Sequence, residues 1–437
     1  MAADLAHLRE SGAGVVTLVA KADSRHVERA LRTTREENLA MIRDSVAHLR
    51  GEGQRVFLDA EHFFDGFQSD PAYALEVLRV AVEAGADVVA LCDTNGGMLP
   101  TRLAEIVHEV AQTGVRVGIH AHNDTSCAVA NSLAAIEAGA THVQGTANGY
   151  GERSGNADLF SVVAALEDKL DRPVLPTGRL AELGRVSHAI AEVANIAPDS
   201  HQPWVGASAF AHKAGLHVSA IKADPDLYQH TDPAVVGNDM RLLVSELAGR
   251  ATIELKGKAI GLEPNSDAVA RVIERVKAME SQGYSFEAAE ASFELLLREE
   301  MGERPRYFDL ESWRVIVEQR ADAVVSEATV KLHAQGERIV ATGEGNGPVN
   351  ALDNALRSGL TTLYPELASL ELVDYKVRIV SGAHGTDAVT RVLVETSDGT
   401  TEWDTVGVHE NVIAASWQAL DDAYTTGLLR AGRATIA

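Results

Sequence analysis

Residues 118–132 read GIHAHNDTSCAVANS, with His120 and His122 on either side of one alanine at the end of an apolar run. If that run is a β-strand, residues i and i+2 project to one side. The two imidazoles then emerge together, with Asn123 and Asp124 in the loop beyond. Two neutral imidazoles side by side suit a divalent cation. A bare His-x-His is more often a hydrogen-bonded pair without a ligand, but this one ends a strand inside a βα repeat, which favours metal ligation. A second polar cluster, GTANGYGERSGNADL (145–159), sets Asn148, Glu152, Arg153 and Asn156 among four glycines. Glycine lets the backbone approach a ligand closely, and Asn156 can offer an oxygen; the alternative is a loop that caps a helix. LDAEHFFDG (58–66) and CDTNGG (92–97) add Asp59, Glu61, His62, Asp93 and Asn95. Such groups orient a substrate, support metal ligands from behind, or cap helices.

The elements that must carry these residues alternate. Five short β-branched runs, at 14–20, 55–60, 87–94, 115–122 and 142–149, read as parallel strands covered on both faces. Amphipathic patterns separate them: Leu39, Ile42, Val46 and Leu49 share one helical face. Asp70 followed by Pro71 reads as an N-cap and first-turn proline. ESGAG, EAGAD and EAGAT place a glycine where a helix exits in the left-handed conformation. Serial βα units mean right-handed crossovers and either a (β/α)₈ barrel or an open doubly wound sheet. Polar clusters at the C-terminal ends of several different strands favour the barrel, as does the lack of a glycine-rich dinucleotide fingerprint after any strand. A closed barrel needs eight strands, and only five are clear.

Beyond about residue 172 the pattern changes. Residues 173–320 read as a helical linker region, in which FAHKAGLHVSA (210–220) and DLYQHTDP (226–233) carry His212, Lys213, His217 and Tyr228. From 321 to 437 a period-two alternation with intervening helices marks a separate α+β domain. There TGEGNGPVNALDNAL (342–356) is a glycine-rich turn leading to Pro348 at a helix start. It can hold an anion, but no Lys-Ser/Thr follows, so it is not a nucleotide P-loop.

With 39 Lys and Arg against 63 Asp and Glu, the net charge is −24, which argues against nucleic acid or an anionic membrane as partner. No apolar run approaches the roughly 20 residues of a membrane span. The N-terminus lacks a secretory signal pattern. Cys92 and Cys127 fall inside expected core elements, so a disulfide framework is not expected and a cytoplasmic location is.

HAHND, NGYGERSGN, ASAFAHKAGLHVSA and GEGNGPVNALDNAL together resemble the α-isopropylmalate/citramalate/homocitrate synthase family of metal-dependent (β/α)₈ Claisen-condensing enzymes, over nearly the whole chain. DAEHFFDG and VGASAFAHK look most like its (R)-citramalate-forming branch, which joins acetyl-CoA to pyruvate. The resemblance implies a divalent ion (Mn, Mg, Zn or Co) on His120 and His122, with Asn156 near or on it. This ion would bind the 2-oxo acid and polarise its carbonyl, while a base takes a proton from the thioester methyl. Catalytic roles are expected for His217, Tyr228 and Glu61, with His217 and Tyr228 usually reaching the site from the partner of a homodimer. Substrate contacts are expected from Asp59, His62, Asp93, Asn123, Asp124, Asn148, Glu152 and Arg153. Residues 321–437 resemble the domain that binds an end-product amino acid, isoleucine in this branch, and Gly345, Asn346 and Gly347 are its candidate effector contacts.

The family opens with a strand bearing Thr-Leu-Arg-Asp-Gly, whose aspartate completes the metal site and whose arginine stabilises the enolate oxygen. No such motif occurs in this sequence, which reads from about the third barrel strand. The expectation is therefore a barrel lacking its first strands, in an N-terminally shortened enzyme. The rival readings are 2-isopropylmalate synthase, an aldolase or lyase on the same barrel, and a shortened, inactive paralogue that binds effector.

Overall fold

In the computed structural model, residues 6–8, 10–212, 215–242, 244, 249–320, 323–380 and 388–435 are described. Lys213 lies outside them. Two compact units emerge, residues 1–210 with 231–239, and residues 211–230 with 240–437.

The first unit follows the βα rhythm. Its elements are β1 (Val15–Lys21), α1 (Arg35–Gly51), β2 (Arg55–Glu61), α2 (Phe63–Ser69), α3 (Pro71–Glu83), β3 (Val88–Asp93), α4 (Pro100–Ala111), β4 (Val117–Ala121), α5 (Ala128–Glu137), β5 (His142–Gln144), α6 (Leu159–Asp168) and α7 (Leu183–Ala194). The five strands pair in sequence order, every neighbour parallel. The sequence reads as five clear strands of a (β/α)₈-type barrel, and this sheet has those five among the described residues.

Strand parity sorts the side chains. Val56, Leu58 and Ala60 of β2, Val89 and Leu91 of β3, and Val117 and Ile119 of β4 face the helices, in one core with Ile42, Val46 and Leu49 of α1. Phe57, Asp59 and Glu61, then Cys92, His120, His142 and Gln144, fall on the opposite face. Phe57 and His142 meet there edge to face at 5.0 Å. Strand register sets Lys21 beside Glu61, Cys92 beside His120, and His120 beside Gln144. The polar residues thus collect on one side of the sheet.

Local signals hold where they were specific. Asp70 caps α3 through Tyr73 N–H, with Pro71 in the first turn. Gly85 and Gly139 leave their helices at φ +107° and +118°, conformations that a side chain would oppose. Two expectations are corrected. The run read as a strand over 142–149 ends at Gln144, and Ala147–Gly149 forms a 3₁₀ turn; at Gly145 a Cβ would press on Ala157 O, so the chain bends where only glycine fits. Cys127 is half-buried at the cap of α5 and not in the core, while Cys92 is buried; neither is paired.

The second unit holds α8 (Gly215–Ala223), α9 (Arg250–Ala259), α10 (Ser266–Ser281) and α11 (Glu290–Met301). Then come two similar halves. In one, β6 (Asp309–Arg320), β7 (Ala323–Ala334) and β8 (Glu337–Gly345) precede α12 (Pro348–Leu360). In the other, β9 (Glu371–Ile379), β10 (Thr390–Ser397) and β11 (Glu402–His409) precede α13 (Val412–Arg430). Each trio is antiparallel, in the orders β8-β7-β6 and β9-β10-β11. β6 begins at Asp309, ahead of the alternation read from 321. Tyr424 Oη donates to the buried Asp353 carboxylate at 2.7 Å, tying α13 to α12. No helix among the described residues is long and apolar enough to cross a membrane.

Gly66 of α2 tests how tightly β1 and α2 are joined, since a Cβ there would overlap the backbone carbonyl of Ala22. A mid-helix Gly→Ala change ordinarily stabilises by about 0.5–1 kcal/mol. Here Gly66→Ala is expected instead to destabilise by about 1–3 kcal/mol, the usual cost of overpacking, read as a lowered midpoint in chemical denaturation.

Candidate metal and substrate site

β4 carries His120 on the polar face, and the chain continues through His122, which leaves the strand and bridges to Asn156 in antiparallel fashion. The two imidazole rings lie 5.2 Å apart between centroids. Asn156 is buried and its Nδ2 lies 3.1 Å from His120 Nε2. The three polar side chains converge although they come from two separate segments, β4 with its following loop and the loop after β5.

This trio fits a divalent cation on three observations. His122 Nδ1 is buried and makes no hydrogen bond. Burial, with His120 and Arg153 adding to it, lowers the pKa of His122, so the ring stays neutral and able to ligate. Asn156 turned about its amide presents an oxygen to the point its nitrogen now addresses. Among the described residues no group of three His, Cys, Asp or Glu side chains comes together, so a third protein donor beside the two rings would be the Asn156 carboxamide. Gly151 is part of the cradle, because a Cβ there would overlap Asn156 Oδ1.

Asp59 stands on the same face of β2. Gln144 Nε2 donates to Asp59 Oδ1 at 2.7 Å, and His120 Nδ1 lies 2.8 Å from Gln144 Oε1. Burial raises the Asp59 pKa, against the pull of that hydrogen bond and of His120 and His142. Glu61, at the end of β2, forms an ion pair with Lys21 of β1. His62 follows at φ +58°. It stacks on His26 at 3.8 Å, and its N–H donates to Thr94 Oγ1 at 2.8 Å. Burial lowers the His62 pKa, and its Nδ1 makes no hydrogen bond.

The other candidates are committed to the loops. Asp93 is buried and accepts from Gly97 N–H and Met98 N–H at 3.2 and 3.1 Å. Asn123 Oδ1 accepts from Ala128 N–H at 3.1 Å, capping α5. Asn148, at φ +56°, is held by Ser187 and Gln202. Asp93, Asn123 and Asn148 thus each support a loop or a helix end through side-chain hydrogen bonds. Arg153 pairs with Asp124 at 2.8 Å and donates to Thr94 O at 2.8 Å, clamping the loops after β3, β4 and β5. This pair lowers the Asp124 pKa. Glu152 beside it is exposed, its carboxylate 3.9 Å from the Arg153 guanidinium.

In the second unit His217 stacks on Tyr228 at 4.1 Å, with His212 6.5 Å from His217. Gly345 ends β8, and Asn346 and Gly347 lead into α12, where Asn346 N–H donates to Asn350 Oδ1 at 3.3 Å.

Sequence reasoning missed Lys21 and Gln144. Both carry a recognisable signal, a polar residue on the site-facing parity of an apolar strand. Lys21 ends one such strand, and Gln144 lies two residues beyond His142 on another.

Comparison with known proteins follows the same division. Residues 1–190 match the HMGL-like family, residues 204–284 the homocitrate synthase post-HMGL domain-like family, and residues 287–428 the LeuA allosteric (dimerisation) domain. The chain is 67% identical over 430 residues to an (R)-citramalate synthase of Streptomyces coelicolor, covering 97% of this chain and 80% of that protein. It is 47% identical over 434 residues to the (R)-citramalate synthase of Synechocystis sp., covering 96% and 79%. The same enzyme of Aquifex aeolicus is 47% identical over 422 residues, covering 95% and 80%.

Because Asn156 Oδ1 occupies the space a Cβ would take at exposed Gly151, Gly151→Ala is expected to push the amide aside. Mn²⁺ affinity measured by calorimetry should fall about tenfold or more, with the unfolding free energy within about 0.5 kcal/mol of the parent. Unchanged affinity would remove Asn156 from the ligand set.

Proposed function

This chain belongs to the (R)-citramalate synthase family and condenses acetyl-CoA with pyruvate to (R)-citramalate and CoA; on that premise we propose how its residues divide the work. The family depends on a divalent metal, and His120, His122 and Asn156 are the side chains that would hold it. When bound, the ion acts as a Lewis acid on the 2-oxo acid carbonyl. The single observation that carries this assignment is the convergence of the two rings and Asn156, with His122 Nδ1 buried and unpartnered. Two neutral imidazoles and a carboxamide suit Mn, Co or Zn as well as Mg, and we place Mn or Co first because mixed nitrogen and oxygen donors are common to both.

The chain's own groups handle charge and protons. Glu61, held by Lys21, offers a carboxylate on the same face as His120 and is proposed to orient the keto acid during proton removal. His217, stacked on Tyr228, is proposed as the proton-transfer pair for the thioester methyl. The Arg153–Asp124 clamp fixes the loops over the site, and the exposed Glu152 beside it is proposed to meet substrate. Asp59 and His62 line the same rim. Attack of the thioester carbanion on the keto carbon forms the new C–C bond, and water then cleaves the thioester to release CoA.

The LeuA allosteric (dimerisation) domain supports a homodimer that responds to an amino acid. Isoleucine is the proposed effector, with the turn at Gly345, Asn346 and Gly347 as part of its site. Two unpaired cysteines fit the proposed cytoplasmic location.

Assaying CoA-thiol release with a panel of 2-oxo acids tests the substrate reading. Pyruvate should give the highest kcat/KM, and isoleucine should inhibit more strongly than leucine. A preference for 2-oxoisovalerate, with leucine as the stronger inhibitor, would move the chain to 2-isopropylmalate synthesis. Isoleucine binding with no CoA release at saturating Mn²⁺ would favour the effector-binding paralogue.

A further inference from the structure

Gln144 has been given no role by the motifs around it, yet it joins three strands. Its Nε2 donates to Asp59 Oδ1 on β2 at 2.7 Å, and its Oε1 lies 2.8 Å from His120 Nδ1 on β4. The direction of this chain follows from its ends. A carboxylate only accepts hydrogen bonds, whereas an amide has one donating and one accepting end. Asp59 therefore takes the NH₂ end of Gln144 and leaves the carbonyl for His120. A carbonyl also only accepts, so the His120 Nδ1 must carry the proton. A neutral imidazole has one proton, and Nε2 is then a bare lone pair. Asn156 Nδ2, 3.1 Å from that Nε2, donates to it as such a lone pair requires.

We propose that Gln144 is a positioning residue that, set by Asp59, locks His120 in the Nδ1–H tautomer and aims its Nε2 lone pair at the cation position. This rests on the metal-site assignment above. His122 has no equivalent lock, its Nδ1 being without a hydrogen bond. His120 is thus the pre-organised ligand, and His122 settles when the cation arrives. The arrangement works as support behind a metal-bound histidine does elsewhere, where the far ring nitrogen is held by a carboxylate or carbonyl. Here the carboxylate acts at one remove, so the histidine is oriented without a full negative charge against its ring.

The test uses the full chain labelled with ¹⁵N-histidine, free of metal and then titrated with Mn²⁺. Long-range proton–nitrogen correlations read the His120 tautomer, assigned against His120→Asn. The parent should show Nδ1–H. Gln144→Leu should lose that preference and weaken Mn²⁺ binding by about 10–100-fold, the usual loss when such support is removed. The exchanged pair Asp59→Asn with Gln144→Glu keeps an accepting oxygen opposite His120 Nδ1, while the bond between positions 59 and 144 now runs the other way, from the new amide at position 59 to the new carboxylate at position 144. It should restore Nδ1–H and recover most of the Mn²⁺ affinity. Gln144→Leu with an unchanged tautomer and affinity would overturn the proposal. If Gln144→Leu does not fold, the exchanged pair decides, and Nε2–H in that protein overturns the proposal. A parent that shows Nδ1–H but binds no Mn²⁺ would instead sink the metal assignment, which separates the two failures.

Discussion

A ring nitrogen can take a cation only if it is unprotonated and pointed at the right place. In this chain, these conditions are met by strand parity acting together with one amide. Parity puts Asp59, His120 and Gln144 on the same face of three parallel strands, and the sheet register brings His120 beside Gln144. The helix-facing residues of the same strands fill a continuous apolar core. A one-residue slip of β4 would send His120 into that core and Ile119 into the site. The hydrophobic core and the polar site are therefore two readings of one register.

Much of this was written in local spacing. His-x-His at a strand end, a glycine-rich loop with an asparagine, and an N-cap with its proline each specify a local geometry, and each was found where its spacing placed it. The serial βα order was legible for the same reason, since each unit carries its own start and stop signals. What the spacing does not give is the set of hydrogen-bond partners that lie elsewhere along the chain. Asp93, Asn123 and Asn148 look like free polar groups in sequence but make side-chain hydrogen bonds to backbone or neighbouring side chains. Gln144 and Lys21 look unremarkable in sequence and matter because of which strand lies next to theirs. Asn38 is a similar case. It sits on a helix that otherwise buries apolar residues, and its amide donates to Lys21 O and Tyr73 Oη.

The electrostatics fit an enzyme for anionic substrates built on an acidic chain. A net charge of −24 would repel a keto acid and a CoA ester if it reached the site unopposed. In the first unit, Lys21 offsets Glu61 and Arg153 offsets Asp124. In the proposed ligand set, neutral imidazole and carboxamide donors would leave the charge of a bound cation uncancelled, as an anionic keto acid needs. The second unit adds the repeated three-strand-and-helix halves of the LeuA allosteric (dimerisation) domain, in which α12 and α13 are joined by the buried Asp353–Tyr424 hydrogen bond.

Anomalous diffraction from crystals of this chain grown with Mn²⁺ and pyruvate addresses the cation site most directly. One peak is expected within coordination distance of His120 Nε2 and of a His122 ring nitrogen, with the Asn156 amide turned to present its oxygen. Density that leaves the His120 Nε2 hydrogen-bonded to Asn156 Nδ2, with manganese absent or bound elsewhere, would contradict the assignment.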